Sequence, residues 1–312
     1  MRFERADHVP YFEEGLRDGV IEAWHGEGLP VDADLAAMFH FDRRERVPVS
    51  FDPCPSIRKW PTSRRGLAAY RRRFNPEEPA RFPKDWDKLV EGWKRREHIL
   101  ELVLHPGFFL AMGVEDWKRF EEVIYQVGDA PELIREMMVI RGECVARIVG
   151  RVLDEVEIDF ASFSEPIGGN DRPIVSPRTY EEIVLPGYRP VIEALESHGV
   201  KTICLITYAN ARVLLPSAIE AGFNCLWACE ANVETMDYLS IRREWPDLRL
   251  IGGIDLDALL ADEATVQREM RAKVPALLAQ GGYVPIADGR VRANTPLRNY
   301  VAYRRLLEQM TR

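Results

Sequence analysis

The sequence predicts an α/β chain of the TIM (β/α)8-barrel type with an N-terminal helical extension. The C-terminal half alternates strictly between short apolar runs and longer helix-like runs, as parallel βα units do. About seven strand-like runs can be placed, and a weak eighth fits within 54–82. The length of 312 residues suits one such barrel plus an extension. No linker, internal repeat or low-complexity segment interrupts it. One domain over 1–312, with 1–46 as the extension, is the simplest division. A doubly wound open sheet is the alternative, because a strand count does not show closure.

VPVSF (47–51) reads as the first buried strand and ELVLH (101–105) as the second. Helical periodicity covers Pro83–Glu97, Val114–Gln126 and Pro131–Leu153. EIDFASF (157–163) is the next strand, followed by a helix over 176–199 with Gly199 as its stop. TICLI (202–206) leads into a helix over 211–221, and NCLWA (224–228) into one over 233–245. LRLIGG (248–253) precedes a helix over 263–279, and GGYVPIA (281–287) a last helix from Leu297.

A hydrophobic share of 46% and a charged share of 29% are ordinary for a globular chain with a sizeable core. The net charge of −8 argues against a nucleic-acid binder, which would carry a basic face. No apolar run is long enough for a membrane span, and the N-terminus lacks the apolar region of a signal peptide. The five scattered cysteines, Cys54, Cys144, Cys204, Cys225 and Cys229, read as reduced thiols of a cytoplasmic protein. Cys225 and Cys229 are expected to be core residues, since two sulfurs do not make a zinc site.

In a βα barrel, residues just past the strand ends converge on one mouth. That rule selects Asp52, Cys54, His105, Ser164, Glu165, Tyr208, Asn210, Glu230, Asp255, Asp288 and Arg290. Glu165, Glu230, Asp288 and His105 are the catalytic candidates. A buried carboxylate can serve as general acid or base, and histidine moves protons near neutral pH. Glu165 precedes Pro166-Ile167-Gly168-Gly169-Asn170, a turn able to close over a ligand. Tyr208, Asn210, Asp255, Arg290 and Asp52 are the substrate-binding candidates. Tyr208 can donate to a developing oxyanion and Asn210 can orient a polar group. Each has a bland counterpart: Asp255 and Asn210 as caps, Glu165 bonding its own loop, Arg290 pairing with Asp288. Arg58-Lys59, Arg64-Arg65 and Arg71-Arg72-Arg73 form a basic patch, either a solvated face or a clamp for carboxylate or phosphate. His8, His25, His40, His98 and His198 are assigned no role.

Several phrases together resemble the uroporphyrinogen decarboxylase-like superfamily, which includes corrinoid-dependent methyltransferases. They are AWHGEGLPVDADLAAMFHFDRRERVPVSF (23–51), HPGFFLAMGVEDW (105–117), SPRTYEEIVLPGYRPVIEALESHGVK (176–201), LLPSAIEAGFN (214–224), LIGGIDLDALL (250–260) and GGYVPIADGRV (281–291). The resemblance implies a TIM barrel and adds weight at Glu165, Glu230, Asp255 and Asp288. The chain reads as a divergent member. DPCPSIRKWPTSRR after Phe51 does not match the arginine-rich segment of true decarboxylases. Ile206 and Tyr208 stand where methyltransferases carry the His-x-Cys zinc motif, and Gly289 stands after Asp288 where many relatives have histidine.

The resemblance implies methyl transfer between a small methylated or methoxylated substrate and a corrinoid (cobalamin) on a partner protein, with zinc not expected at the usual site. The alternatives are a decarboxylase or lyase acting on an organic acid, and a non-catalytic ligand-binding barrel. A homodimer is one assembly open to such a chain.

Overall fold

The computed structural model describes Phe3, residues 9–231 and residues 234–311. His8 and the start of the helix expected over 233–245 lie outside the described residues. Among the described residues, seven strands form a sheet in chain order: β1 Arg44–Arg46, β2 Ile99–His105, β3 Phe160–Glu165, β4 Ile203–Tyr208, β5 Cys225–Cys229, β6 Arg249–Gly252 and β7 Tyr283–Val284. The β1–β2, β2–β3, β5–β6 and β6–β7 registers are all parallel. This is an α/β fold of the kind the alternation predicts. Among the described residues the order has two ends, β1 and β7, and neither an eighth strand nor closure is shown.

The chain divides into two compact units. A terminal unit holds Met1–Arg43, Thr207–Arg212 and Asn224–Arg312, and a central unit holds Arg44–Ile206 and Val213–Phe223. In the central unit, β1 falls three residues before the expected start and VPVSF is irregular. Val47 N–H still reaches the Glu101 carbonyl at 2.9 Å. Pro48, which follows, has no N–H to continue the ladder. The segment 54–82 contains no strand among the described residues, only short helical turns at Arg64–Gly66, Leu67–Arg71 and Pro79–Arg81. Pro55, Pro61, Pro76 and Pro79 deny it ladder donors.

Two helices organise the central unit: Pro131–Glu155, and the run Pro177–Ser197, which includes a π-helical stretch at Tyr180–Val184. Pro186 cannot donate to the carbonyl one turn back, and a π-turn is one way to absorb that defect. The helices touch backbone to backbone. A Cβ on Gly142 would lie 2.0 Å from the Gly187 carbonyl oxygen, and one on Gly187 would lie 2.7 Å from the Met138 oxygen. Only glycine allows this crossing, and it draws the neighbouring Arg141 and Tyr188 into one region.

In the terminal unit, β7 is two residues long, again because a proline, Pro285, follows it. Its helices start on side-chain caps: Asp237 accepts from Ser240 N–H and Asp262 from Thr265 N–H, both at 2.7 Å. A buried ion pair between Glu13 and Arg304, 2.6 Å apart and joined by the Tyr303 hydroxyl, fastens the N-terminal segment to the helix Leu297–Thr311. No helix among the described residues is long and apolar enough to cross a membrane. All five cysteines are free thiols, and Cys225 and Cys229 are buried in β5.

Candidate functional site

In the central unit, β2 and β3 bring His105 and Glu165 together at their C-terminal ends. Glu165 is 1% exposed. It accepts the Phe108 N–H at 2.9 Å on one oxygen and the Tyr188 hydroxyl on the other. Burial pushes its carboxyl up to about 7, although both hydrogen bonds favour the charged form. Glu165 is therefore poised to hold or release a proton near neutrality.

His105 stands next to it, its ring edge-on to Tyr188 with centroids 4.8 Å apart. Its Nδ1 accepts the Gly107 N–H at 2.9 Å. That bond puts the proton of the neutral ring on Nε2. Burial, and then the Arg141 guanidinium, hold the imidazole well below its ordinary pKa, so it stays neutral. The turn needs glycine at 107: φ is 96°, and a Cβ there would press Pro166 Cδ at 2.5 Å and Glu165 Oε1 at 3.1 Å. The loop after Glu165 is pinned rather than free, with Ile167 buried and bonded to Ile174 across the turn.

A cavity of about 520 Å³ opens beside these residues, its wall including Asp52, Arg81, His105, Arg141 and Ser164. Glu165 does not line it. Of the cavity's two arginines, Arg81 is spent on structure, donating to the carbonyls of Asn75, Ser50, Asp52 and Arg73. Asp52 is exposed on the rim. A second cavity of about 660 Å³ lies in the segment expected to be a basic clamp, and Arg58, Lys59 and Arg73 line it. Arg64 and Arg71 instead pair with Glu136 and Glu143 on the helix Pro131–Glu155.

The terminal unit holds the remaining candidates. β4 runs to Tyr208, two residues past the expected end, so Tyr208 closes the strand rather than following it. Ala209 then turns left-handed at φ 52°, and Asn210 accepts the Arg212 N–H at 3.1 Å to open the next turn. Glu230, also left-handed at φ 45°, is exposed and pairs with Arg17. Its N–H is bonded to the Asp288 carbonyl.

Asp288 is 4% exposed. Burial raises its carboxyl to about 7 while it accepts the Leu256 N–H at 3.1 Å. Asp255 caps the helix Leu256–Leu260 through Asp257 N–H at 2.8 Å. Arg290 is exposed and makes no ion pair with Asp288 among the described residues. Nor does any group of three or more His, Cys, Asp and Glu among the described residues come close enough to hold a metal ion.

No protein-family model matches the chain, and no curated protein matches it in sequence. Its backbone does superpose on solved structures. A methyltransferase from Methanosarcina mazei is 12% identical, with a TM-score of 0.57 over 98% of this chain and 95% of that one. The chain shares the fold of that structure. A putative vitamin-B12 independent methionine synthase from Listeria monocytogenes aligns over 99% of this chain and 96% of its own, at 10% identity and a TM-score of 0.43.

Arg141 and Tyr188 are not among the residues that the strand-end rule selects, because both sit on helices. A signal was nonetheless present. In Ile134, Met137, Met138, Arg141, Cys144, Val145 and Ile148, an arginine occupies the apolar stripe of an otherwise buried helix.

Proposed function

We propose that the chain is a methyltransferase-like enzyme acting on a small methylated or methoxylated substrate held in the cavity beside His105. The observation that carries this reading is the tautomer of His105. With Nδ1 committed to Gly107, the neutral ring offers Nε2–H as a hydrogen-bond donor that stabilises the charge on a leaving oxygen or nitrogen, whose proton comes from solvent. Glu165, about half ionised at pH 7, holds Tyr188 and the Phe108 N–H beside the ring. The likeness to a methyltransferase backbone supports the choice of reaction as an analogy of fold.

In this reading the methyl acceptor is a corrinoid carried by a partner protein. A cavity of about 520 Å³ suits a small substrate alone, so the residues present do not enclose such a carrier. The test is methyl transfer from a panel of methoxylated and methylated compounds to free cob(I)alamin, followed by its absorbance change. Turnover that falls about 10²–10³-fold in His105→Phe supports the reading. Absence of methyl transfer across the panel, with carbon dioxide released from an organic acid, would overturn it. Arg58, Lys59 and Arg73 around the second cavity are the observation that favours that alternative, a lyase acting on an organic acid.

A further inference from the structure

Arg141 is the anomaly of the central unit. It is 3% exposed, it lines the cavity, and its Nε and Nη2 have no hydrogen-bond partner. It makes no ion pair among the described residues. Its neighbours offer little charge compensation. Phe74 lies under the guanidinium at 5.8 Å, and Tyr70, Tyr188 and Cys144 are neutral groups. Asp52, an acid acting on it, is exposed on the rim.

The other buried arginines among the described residues each have partners for most of the guanidinium. Arg81 donates to four carbonyls, Arg242 donates to the Gly281 and Gly282 carbonyls, and Arg304 pairs with Glu13, although Nε of Arg242 and of Arg304 has no hydrogen-bond partner. A guanidinium keeps its charge in any protein environment, and burying it unpaired costs several kcal/mol. The Gly142–Gly187 crossing holds Arg141 in this position without giving it a partner.

The geometry points to Arg141 as the anchor for a carboxylate on the substrate. The cavity takes a small organic acid whose carboxylate meets the planar fork of the guanidinium, while His105 on the same wall donates to a second oxygen of the molecule. The assignment rests on the cavity being the substrate site of the proposed function, but it concerns binding rather than turnover. Arginine matches a carboxylate in two parallel hydrogen bonds. Ser164 on the wall can donate to either end of such a ligand.

The experiment reads binding without catalysis. 4-Methoxybenzoate, benzoate and acetate are titrated into the intact protein against the neutral 4-methoxybenzamide and inorganic phosphate, by calorimetry and by melting temperature. A carboxylate is expected to bind and raise the melting temperature, while the amide does neither. Arg141→Met should weaken the carboxylate about 10–100-fold. The same variant should melt no lower than wild type without ligand, because it removes an unpaired buried charge. Arg141→Lys should recover part of the affinity.

Equal binding of acid and amide, full carboxylate affinity in Arg141→Met, or no carboxylate binding up to about 10 mM would each overturn the assignment. So would phosphate binding more tightly than every carboxylate in an Arg141-dependent way. Carboxylate binding with no methyl transfer would leave Arg141 in place and remove only the reaction.

Discussion

Glu165 in the central unit and Asp288 in the terminal unit invite comparison. Both are buried carboxyls at or just past strand ends, and burial raises both to about 7. Their partners differ. Asp288 accepts a backbone N–H at the start of a helix, and its own carbonyl holds Glu230. Glu165 accepts a phenol and stands next to a neutral histidine that lines a cavity with an unpartnered arginine. A strand-end position and a raised pKa are shared by both sites, so neither feature marks chemistry by itself. The side chains that surround the carboxyl, and the space beside it, do.

The largest expected effect tests the scaffold of the central site. Gly142→Ala drives a methyl group into the Gly187 carbonyl, 2.0 Å away, where backbone cannot yield. A loss of about 3 kcal/mol or more in urea unfolding is expected. A loss below about 1 kcal/mol would break the claim that this crossing places Arg141 and Tyr188.

The next effect comes from pH. Glu165 has a folded pKa of about 7 against an ordinary 4.5, so the folded state holds its proton longer than the unfolded state. Its stabilising share is complete below pH 4.5 and is lost as pH rises to about 7, a span worth about 3 kcal/mol. Glu165→Gln should flatten the stability curve over that window, and Asp288→Asn should do the same in the terminal unit. The comparison sharpens if only Glu165→Gln also moves the pH profile of turnover.

Tyr188→Phe leaves one Glu165 oxygen without its donor. A loss of about 1–3 kcal/mol is expected, with the Glu165 midpoint moving above 7 because the lost hydrogen bond favoured the anion. A downward midpoint, read by carbon-13 carboxyl NMR, would contradict the assignment. The smallest effect is Asp255→Ala, which removes the cap at Asp257 N–H. It should cost about 1 kcal/mol in thermal unfolding.

Most of the element order was legible in the chain, because alternating runs bounded by Gly199, Gly222 and the Gly281-Gly282 pair carry their own period and stops. The long helix Pro131–Glu155 and the strands β2 to β6 lie close to where the apolar pattern places them. The ends of the sheet were less legible. Pro48 and Pro285 cut runs that read as strands by composition, and the prolines of 54–82 removed the weak strand allowed there.

The candidate carboxyls and His105 were also visible, since strand ends can be read from sequence. Their roles were not, because the same residue type serves as cap, ion pair or proton holder according to its neighbours. Local sequence determined which residues sit at the ends of strands and which face of each helix is apolar. Tertiary structure alone decided that two helices meet at Gly142 and Gly187, that Tyr188 reaches Glu165, and that Arg141 is buried with no partner. The physical reason is range: periodicity and capping act within a few residues, whereas desolvation and partnership depend on groups dozens of positions away in the chain.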